Sequence, residues 1–385
     1  MRSLKKCLHN GKLILKDGIV MNKALIFSDT IEDIVDEKDI VDRDDIEKID
    51  VKGAYISPGF IDIHIHGYGG YDVMDGEIEK LKDISQAIAA NGVTSFLATT
   101  MTMDIPEIRK ALEVVREVKK EGTVGAEVLG AHMEGPFINP VFKGAQNEKY
   151  IISPDIELVK EFQDVVRLIT LAPEVEGAKE FIKEVKDTTD IVLSMGHTDA
   201  TFEEALEGIE AGISHATHLF NAMTGLLHRK PGVVGAALST DVTCELIADT
   251  IHIHPGLYSF LLKTKGLDKI VLITDCMSAG GMEEGKYELG GQPVFVKDGQ
   301  ARLEDGTLAG SVLKLNQGLY NMHTYTGKSL EELVRLVSYN PATVLGIEDK
   351  KGSLAIGKDA DITVFDENVH IAMTIGKGKL LYENH

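Results

Sequence analysis

The chain has 385 residues, of which 43% are hydrophobic and 26% charged; this is enough apolar material for a large core and excludes a disordered or fibrous class. A formal net charge of −21, with no Lys/Arg-rich stripe to relieve it, repels phosphate backbones and anionic lipid, so neither nucleic acid nor membrane is expected as a partner. Cys7, Cys244 and Cys276 are odd in number and form no CxxC pair, which argues against a disulfide framework and for a cytoplasmic location.

The opening text, MRSLKKCLHNGKLIL, has no uninterrupted apolar core of an export signal, and no apolar run is long enough to span a bilayer. Residues 12–52 read as short alternating segments, KLILKDGIV, KALIFS and DIEKIDVKG, broken by Asp-Gly and charged turns, a pattern of β-hairpins. Residues 352–382 read the same way. The two ends, 1–56 and 352–385, are therefore expected to build one small β-sandwich around a different middle, 57–351.

In that middle, eight apolar runs occur in order: GFIDIHIH, VTSFLATT, AEVLGAHME, VRLITLAPE, DIVLSMGHT, ISHATHLFN, CELIADTIHI and KIVLITDCM. Most are separated by text with apolar residues at three-and-four spacing, such as EIEKLKDISQAIAANG and IPEIRKALEVVREVKKEG, which predicts helices. Eight alternations predict an α/β fold, a TIM-like (β/α)8 barrel. After the eighth run, GKYELGGQPVFVKDGQARLEDG (285–306) predicts an inserted β-hairpin, either a cover for a ligand or a rigid surface excursion.

The polar residues share a phase. His64 and His66, His132 and Glu134, His197, His215 and His218, His252 and His254, and Asp275 all end predicted strands, the face on which barrel active sites are built. His64 and His66 are two apart, so in a strand both rings point to one side and can hold a metal ion, or can be two histidines at a wet strand end. Glu134, His197 and His218 from three strands can make one site, and His64 with His66 a second, bridged by Glu134; imidazole and carboxylate suit zinc or iron(II). Asp275 ends an apolar strand where an unpaired carboxylate is costly. Beside a metal it serves as general base and then general acid; alone it caps a turn.

The segments PGFIDIHIHG, HMEGPFINPVFKGAQN, MGHTDATFEEA, THLFNAM with HRKPGVVGAAL, ADTIHIHPG, and LITDCMSAGG with LAGS resemble the amidohydrolase superfamily and, within it, the N-acetylglucosamine-6-phosphate deacetylase family. The resemblance spans about 57–313 and extends to the β-rich ends. It implies a barrel hydrolase that removes an acetyl group from a phosphorylated amino sugar, with one or two divalent ions per chain. Glu134, His197 and His218 are the implied ligands, His64 and His66 the additional ones of two-metal members, and Asp275 the acid/base at the metal.

Where several relatives have a His after KGA, this chain has Gln146, as in the two-metal branch; an amide donates a hydrogen bond to the acetyl carbonyl but carries no charge. Superfamily members with a carboxylated Lys after the fourth strand are a poorer match, because VRLITLAPE ends without one. The resemblance further implies that Asn221, the Ala222 backbone and Arg229 hold the phosphate, that His252 reaches a sugar hydroxyl or the phosphate, and that Leu308 and Ala309 return to the site. Without it, HRK reads as a solvated loop triplet. A homodimer is also implied, since one phosphate contact in the family can cross an interface. Stereochemistry at the sugar is not legible, so the galactosamine epimer stays open as substrate, and so does a sugar-phosphate sensor without turnover.

Overall fold

The computed structural model describes residues 5–384; residues 1–4 and His385, the outer ends of the segments expected in the sandwich, lie outside the described residues. All eight apolar runs contain strands: β1 Phe60–Ile65, β2 Val93–Thr100, β3 Glu127–Glu134, β4 Val166–Leu171, β5 Val192–Met195, β6 His215–Ala216, β7 Thr243–Ile247 and β8 Ile270–Ile273. They are hydrogen-bonded in that order as one sheet, each neighbouring pair parallel. Every residue of β1 and β2 is buried, as a parallel sheet covered on both faces requires.

The seam between β8 and β1 is closed just beyond the strand ends. Asp275 N donates to His64 O at 2.8 Å, His66 N donates to Cys276 O at 2.9 Å, and Ile65 and Cys276 form a parallel bridge. The sheet is thus a nearly closed (β/α)8 barrel.

The intervening helices follow the three-and-four spacing. Helix Ile105–Glu121 starts with a proline in its first turn and buries Ile108, Ala111, Leu112, Val115 and Val118, one continuous stripe. Helix Phe202–Ala211 starts in a capping box in which Thr201 and Glu204 satisfy each other's backbone N–H groups. One predicted run delivers less strand than its text suggests. ISHATHLFN pairs only at His215–Ala216, because from His218 the backbone enters left-handed turns, with φ of 28° at His218, 78° at Phe220 and 48° at Ala222.

The N-terminal segment builds one further sheet by itself and shares a second with the C-terminal segment. One has four strands in the order Ile31–Asp36, Lys23–Phe27, Lys5–His9, Ile46–Asp50; the other has six, in the order Lys379–Glu383, Ile371–Gly376, Ile362–Phe365, Tyr55–Pro58, Lys12–Leu15, Gly18–Val20. Leu8, Leu25 and Phe27 of the first meet Leu13, Ile56, Ile362, Val364 and Ile375 of the second in a core of their own. Tyr55–Pro58 pairs inside the six-stranded sheet, with Ser57 opposite Thr363, and two residues later the chain enters the barrel.

The insertion after β8 is a three-stranded meander, Gly285–Leu289, Gln292–Lys297 and Gln300–Arg302, where a two-stranded hairpin was expected. Two tight turns make it, Gly290-Gly291 (φ 54° and 76°) and Asp298-Gly299 (φ 50° and 72°). Consecutive positive φ values match the twist of a two-residue hairpin, and Asp-Gly and Gly-Gly adopt them readily.

A candidate metal centre at the mouth of the barrel

Strand ends from five sides of the barrel converge. β1 carries His64 and runs into His66, β3 ends in Glu134, and His197, His218 and Asp275 follow β5, β6 and β8. The β1 spacing does what alternation requires: the His64 and His66 ring centroids lie 5.2 Å apart, and the two Nε2 atoms stand 3.5 and 3.3 Å from the same Asp275 oxygen, Oδ1. Glu134 sits between two groups. Its Oε1 is 3.1 Å from Nε2 of both His197 and His218 and 3.4 Å from His64 Nε2, while its Oε2 is 3.3 Å from His66 Nε2.

The backbone is bent to present these groups. His197, His218 and Asp275 all have left-handed φ values, of 50°, 28° and 50°, a conformation costly for residues with a Cβ. It turns each side chain inward immediately after its strand stops pairing.

All six side chains are buried, and their ionisation is set by one another. Burial pushes the Glu134 carboxyl up, but His197 and His64 outweigh it and hold the group well below the usual carboxylate range. Burial likewise raises Asp275, and His64 and His66 bring it below its ordinary value. Burial lowers the His66 imidazole, yet Asp275 and Glu134 raise it to about 9. His64 is raised well above the ordinary value against the same burial, by Glu245, Glu134 and Asp275. The cluster is therefore a buried place that demands positive charge.

A divalent ion fits that demand. Among the described residues His64 Nε2 and His218 Nδ1 are buried without a hydrogen-bond partner, and two groups, Glu134/His197/His218 and His64/His66/Asp275, each bring three ligand atoms within 4.8 Å of one another. Imidazole with carboxylate is the donor chemistry of zinc and iron(II).

Above the cluster opens a pocket with His66, Glu134, His197, His218 and Asp275 in its floor and Gln146, Asn221, Ala222, His252 and Leu308 in its walls. Gln146 has a fixed amide orientation: Oε1 accepts the Thr102 N–H at 2.7 Å and Nε2 donates to Glu134 Oε2 at 2.5 Å. Asp249 holds His252, accepting from ring Nδ1 at 2.6 Å and from its backbone N–H at 2.8 Å. Leu289 of the meander joins Thr307, Leu308 and Gly310 in the wall, and Gln292 Nε2 ties the meander to Ala145 O at 2.5 Å.

Two candidates stand apart. Ala309 is fully buried beside Leu308 and does not line the pocket. Arg229 is exposed on the loop after Ala222, its guanidinium 2.7 Å from His228 Nε2, outside the pocket of its own chain. His254 is also exposed and caps a short turn by accepting from Gly256 N.

Two buried acids behind the floor escaped the sequence reading. Glu245 of β7 contacts His64 and His215. Asp62 of β1 accepts from Thr274 Oγ1 at 2.6 Å across the barrel seam, and burial raises its carboxyl to about 7. The available signal was a carboxylate inside an otherwise apolar run, in FIDI and CELI, which signifies a buried partner.

Comparison with known proteins agrees with this architecture. A sequence model described as "Amidohydrolase family" matches residues 55–381. The chain is 44% identical over 337 residues to the N-acetylglucosamine-6-phosphate deacetylase of Bacillus subtilis (strain 168), covering 86% of this chain and 85% of that protein. It is 37% identical over 330 residues to the N-acetylgalactosamine-6-phosphate deacetylase of Escherichia coli O157:H7, covering 84% and 87%. The crystal structure of N-acetylglucosamine-6-phosphate deacetylase from Pasteurella multocida superimposes with a TM-score of 0.94 at 31% identity, covering 99% of this chain and 100% of that one.

Proposed function

We infer the reaction from one premise: the chain belongs to the amidohydrolase family. It is a hydrolase that removes the acetyl group of N-acetyl-D-glucosamine 6-phosphate, yielding D-glucosamine 6-phosphate and acetate, a step of amino-sugar catabolism. The observation that carries this reading is the joint presence, in one pocket floor, of Glu134, His197, His218, His66 and Asp275, with His64 buried directly against them, in a chain 44% identical to a protein of that activity.

Glu134, His197 and His218 would hold one divalent ion, and His64, His66 and Asp275 a second with Glu134 between them; zinc and iron(II) are the metals this donor set favours. A bound ion supplies Lewis acidity toward the acetamide carbonyl and lowers the pKa of water. The rest falls to the chain. Asp275, ionised far below neutral pH, takes the proton of the attacking water and passes it to the amine as the C–N bond breaks. Gln146, its oxygen engaged by Thr102, turns its NH2 toward the pocket floor and donates to the acyl oxygen as charge develops there.

His252, fixed by Asp249 at Nδ1, keeps Nε2 for a sugar hydroxyl or the phosphate. Asn221 and the Ala222 backbone receive the phosphate from the wall. Arg229 offers a planar fork suited to phosphate; its exposed position outside its own pocket supports a homodimer in which it serves the neighbouring chain. Among the described residues no helix is long and apolar enough to cross a membrane, in keeping with a cytoplasmic enzyme.

The match to the E. coli protein that acts on the galactosamine epimer favours one second reading, the same chemistry on N-acetylgalactosamine 6-phosphate. Acetate release from both epimers decides: a higher kcat/KM for the gluco epimer supports the first reading, and a reversed ratio the second. Metal-loaded protein that releases acetate from neither overturns both.

A further inference from the structure

We propose that Glu245 is a positioning residue that couples the two groups of candidate ligands, orienting the His64 ring and anchoring the His218 backbone with one and the same carboxylate oxygen. Glu245 Oε2 accepts from His64 Nδ1 at 2.9 Å and from the His218 backbone N–H at 3.0 Å. Its other oxygen, Oε1, faces His215 Nε2 at 3.3 Å. Glu245 is fully buried, and among the described residues it pairs only with histidines, with no Lys or Arg.

A carboxylate in that place is expensive unless its oxygens are used, and the geometry names the use. Because Oε2 can only accept, a His64 proton is fixed on Nδ1, and Nε2 is the nitrogen turned toward Glu134 and Asp275 and available to an ion. A carboxylate on the remote nitrogen of a metal-binding imidazole fixes both ring angle and tautomer. The second bond acts on the backbone. His218 is held at a φ of 28°, and its N–H, turned away from β6 pairing, finds its acceptor on the neighbouring β7. His64 and His218 belong to different ligand groups and come from strand β1 and the turn after β6, so the shared oxygen sets their separation. Glu245 lies in neither of these groups; with His64 and His132 it forms a separate set of potential ligands behind the floor.

The inference rests on the two-ion reading above, and the test separates the two. Chelator-stripped full-length protein is titrated with Zn2+ against a chromophoric chelator, as wild type and as Glu245→Gln. Wild type is expected to take up two ions per chain; fewer than two defeats the two-ion reading itself. With wild type at two, Glu245→Gln is expected to bind both ions about 10–100-fold more weakly, the usual range for losing such a partner. Unchanged affinities, or a loss confined to one ion, overturn the coupling; a lowered melting temperature with unchanged affinities assigns Glu245 a merely structural part. Should the variant not fold, 15N spectra of zinc-loaded wild type labelled at histidine decide: a His64 proton on Nδ1 is expected, and a proton on Nε2 overturns the proposal.

Discussion

Asp275 Oδ1 lies 3.3 Å from His66 Nε2, and the same oxygen lies 3.5 Å from His64 Nε2. One carboxylate oxygen thus faces both rings of the HxH pair from the opposite side of the barrel seam. Asp275→Asn keeps the shape of the side chain and removes its capacity to hold a proton between two reaction steps. A fall in kcat of about 10²–10⁴-fold is expected, with the Glu134/His197/His218 ion retained. Steady-state kinetics beside metal analysis check this, and an Asp275→Asn enzyme with near wild-type kcat removes Asp275 from the proton transfer.

Among the described residues, Gln146 is the only side-chain amide that donates to Glu134. On the proposed role of its NH2 as a donor to the acyl oxygen, Gln146→Ala should lower kcat by about 10²-fold or somewhat more while KM changes little. The buried Thr102 N–H loses its acceptor as well, at about 1–3 kcal/mol. Kinetics and a thermal melt on one preparation separate the two effects; a variant with unchanged kcat shows that the amide does not contact the developing charge.

The metal-free protein should be alkali-sensitive. The His66 imidazole, which burial lowers and Asp275 and Glu134 raise, reaches about 9 in the folded chain, against about 6.5 unfolded. A group raised on folding stabilises fully below its unfolded value, and that stabilisation is lost as pH rises through the folded value. Between about pH 6.5 and 9 the stripped protein should lose up to about 1.4 kcal/mol per pH unit from this group. Calorimetry of stripped and zinc-loaded protein tests it: the stripped midpoint should fall across the window and the loaded one hold, because ions then replace protons between the same carboxylates.

Lys351 is buried and pairs with Asp361 at 2.6 Å, Glu127 at 2.8 Å and Asp359 at 3.0 Å. Glu127 begins the strand whose far end is Glu134, so this cation joins the barrel to the sandwich well away from the pocket. Lys351→Met leaves the buried Asp361 without its counter-charge, while the part-exposed Glu127 keeps Lys377, and unfolding by urea should reveal a loss of about 3–5 kcal/mol. Metal content and kcat of the folded fraction should stay at wild-type values; a loss of metal would mean that the ion cluster also sets the geometry of the barrel mouth.

Much of this molecule was legible in its text because the relevant signals are local. All eight barrel strands announce themselves as apolar runs, and the period-two alternation alone placed His64 and His66 on one side. The phase of Glu134, His197, His218 and Asp275 at strand ends pointed to a common mouth, since in a parallel barrel every strand ends on the same face. Other features depend on partners far away in sequence. Glu245 and Asp62 hide in apolar runs because their partners come from other strands, and no spacing rule reaches across a barrel. ISHATHLFN looked like a full strand, but its last residues are needed in turns to aim His218. The loop carrying Arg229 follows the Asn221–Ala222 wall of the pocket in sequence and leaves it in space, which only the fold could reveal.

The sheet that holds both chain ends has a consequence for biosynthesis. Tyr55–Pro58 is flanked by Lys12–Leu15 on one side and by Ile362–Phe365 on the other, and Ser57 Oγ donates to Thr363 O across 306 positions of sequence. On the ribosome the first strands emerge long before the one that completes their sheet, so one side of Tyr55–Pro58 stays an open edge while the whole barrel is translated. An open, apolar edge invites pairing with other nascent chains. Deleting the last strands should therefore leave a product that aggregates, even though every metal-facing side chain is already present in the truncated polypeptide.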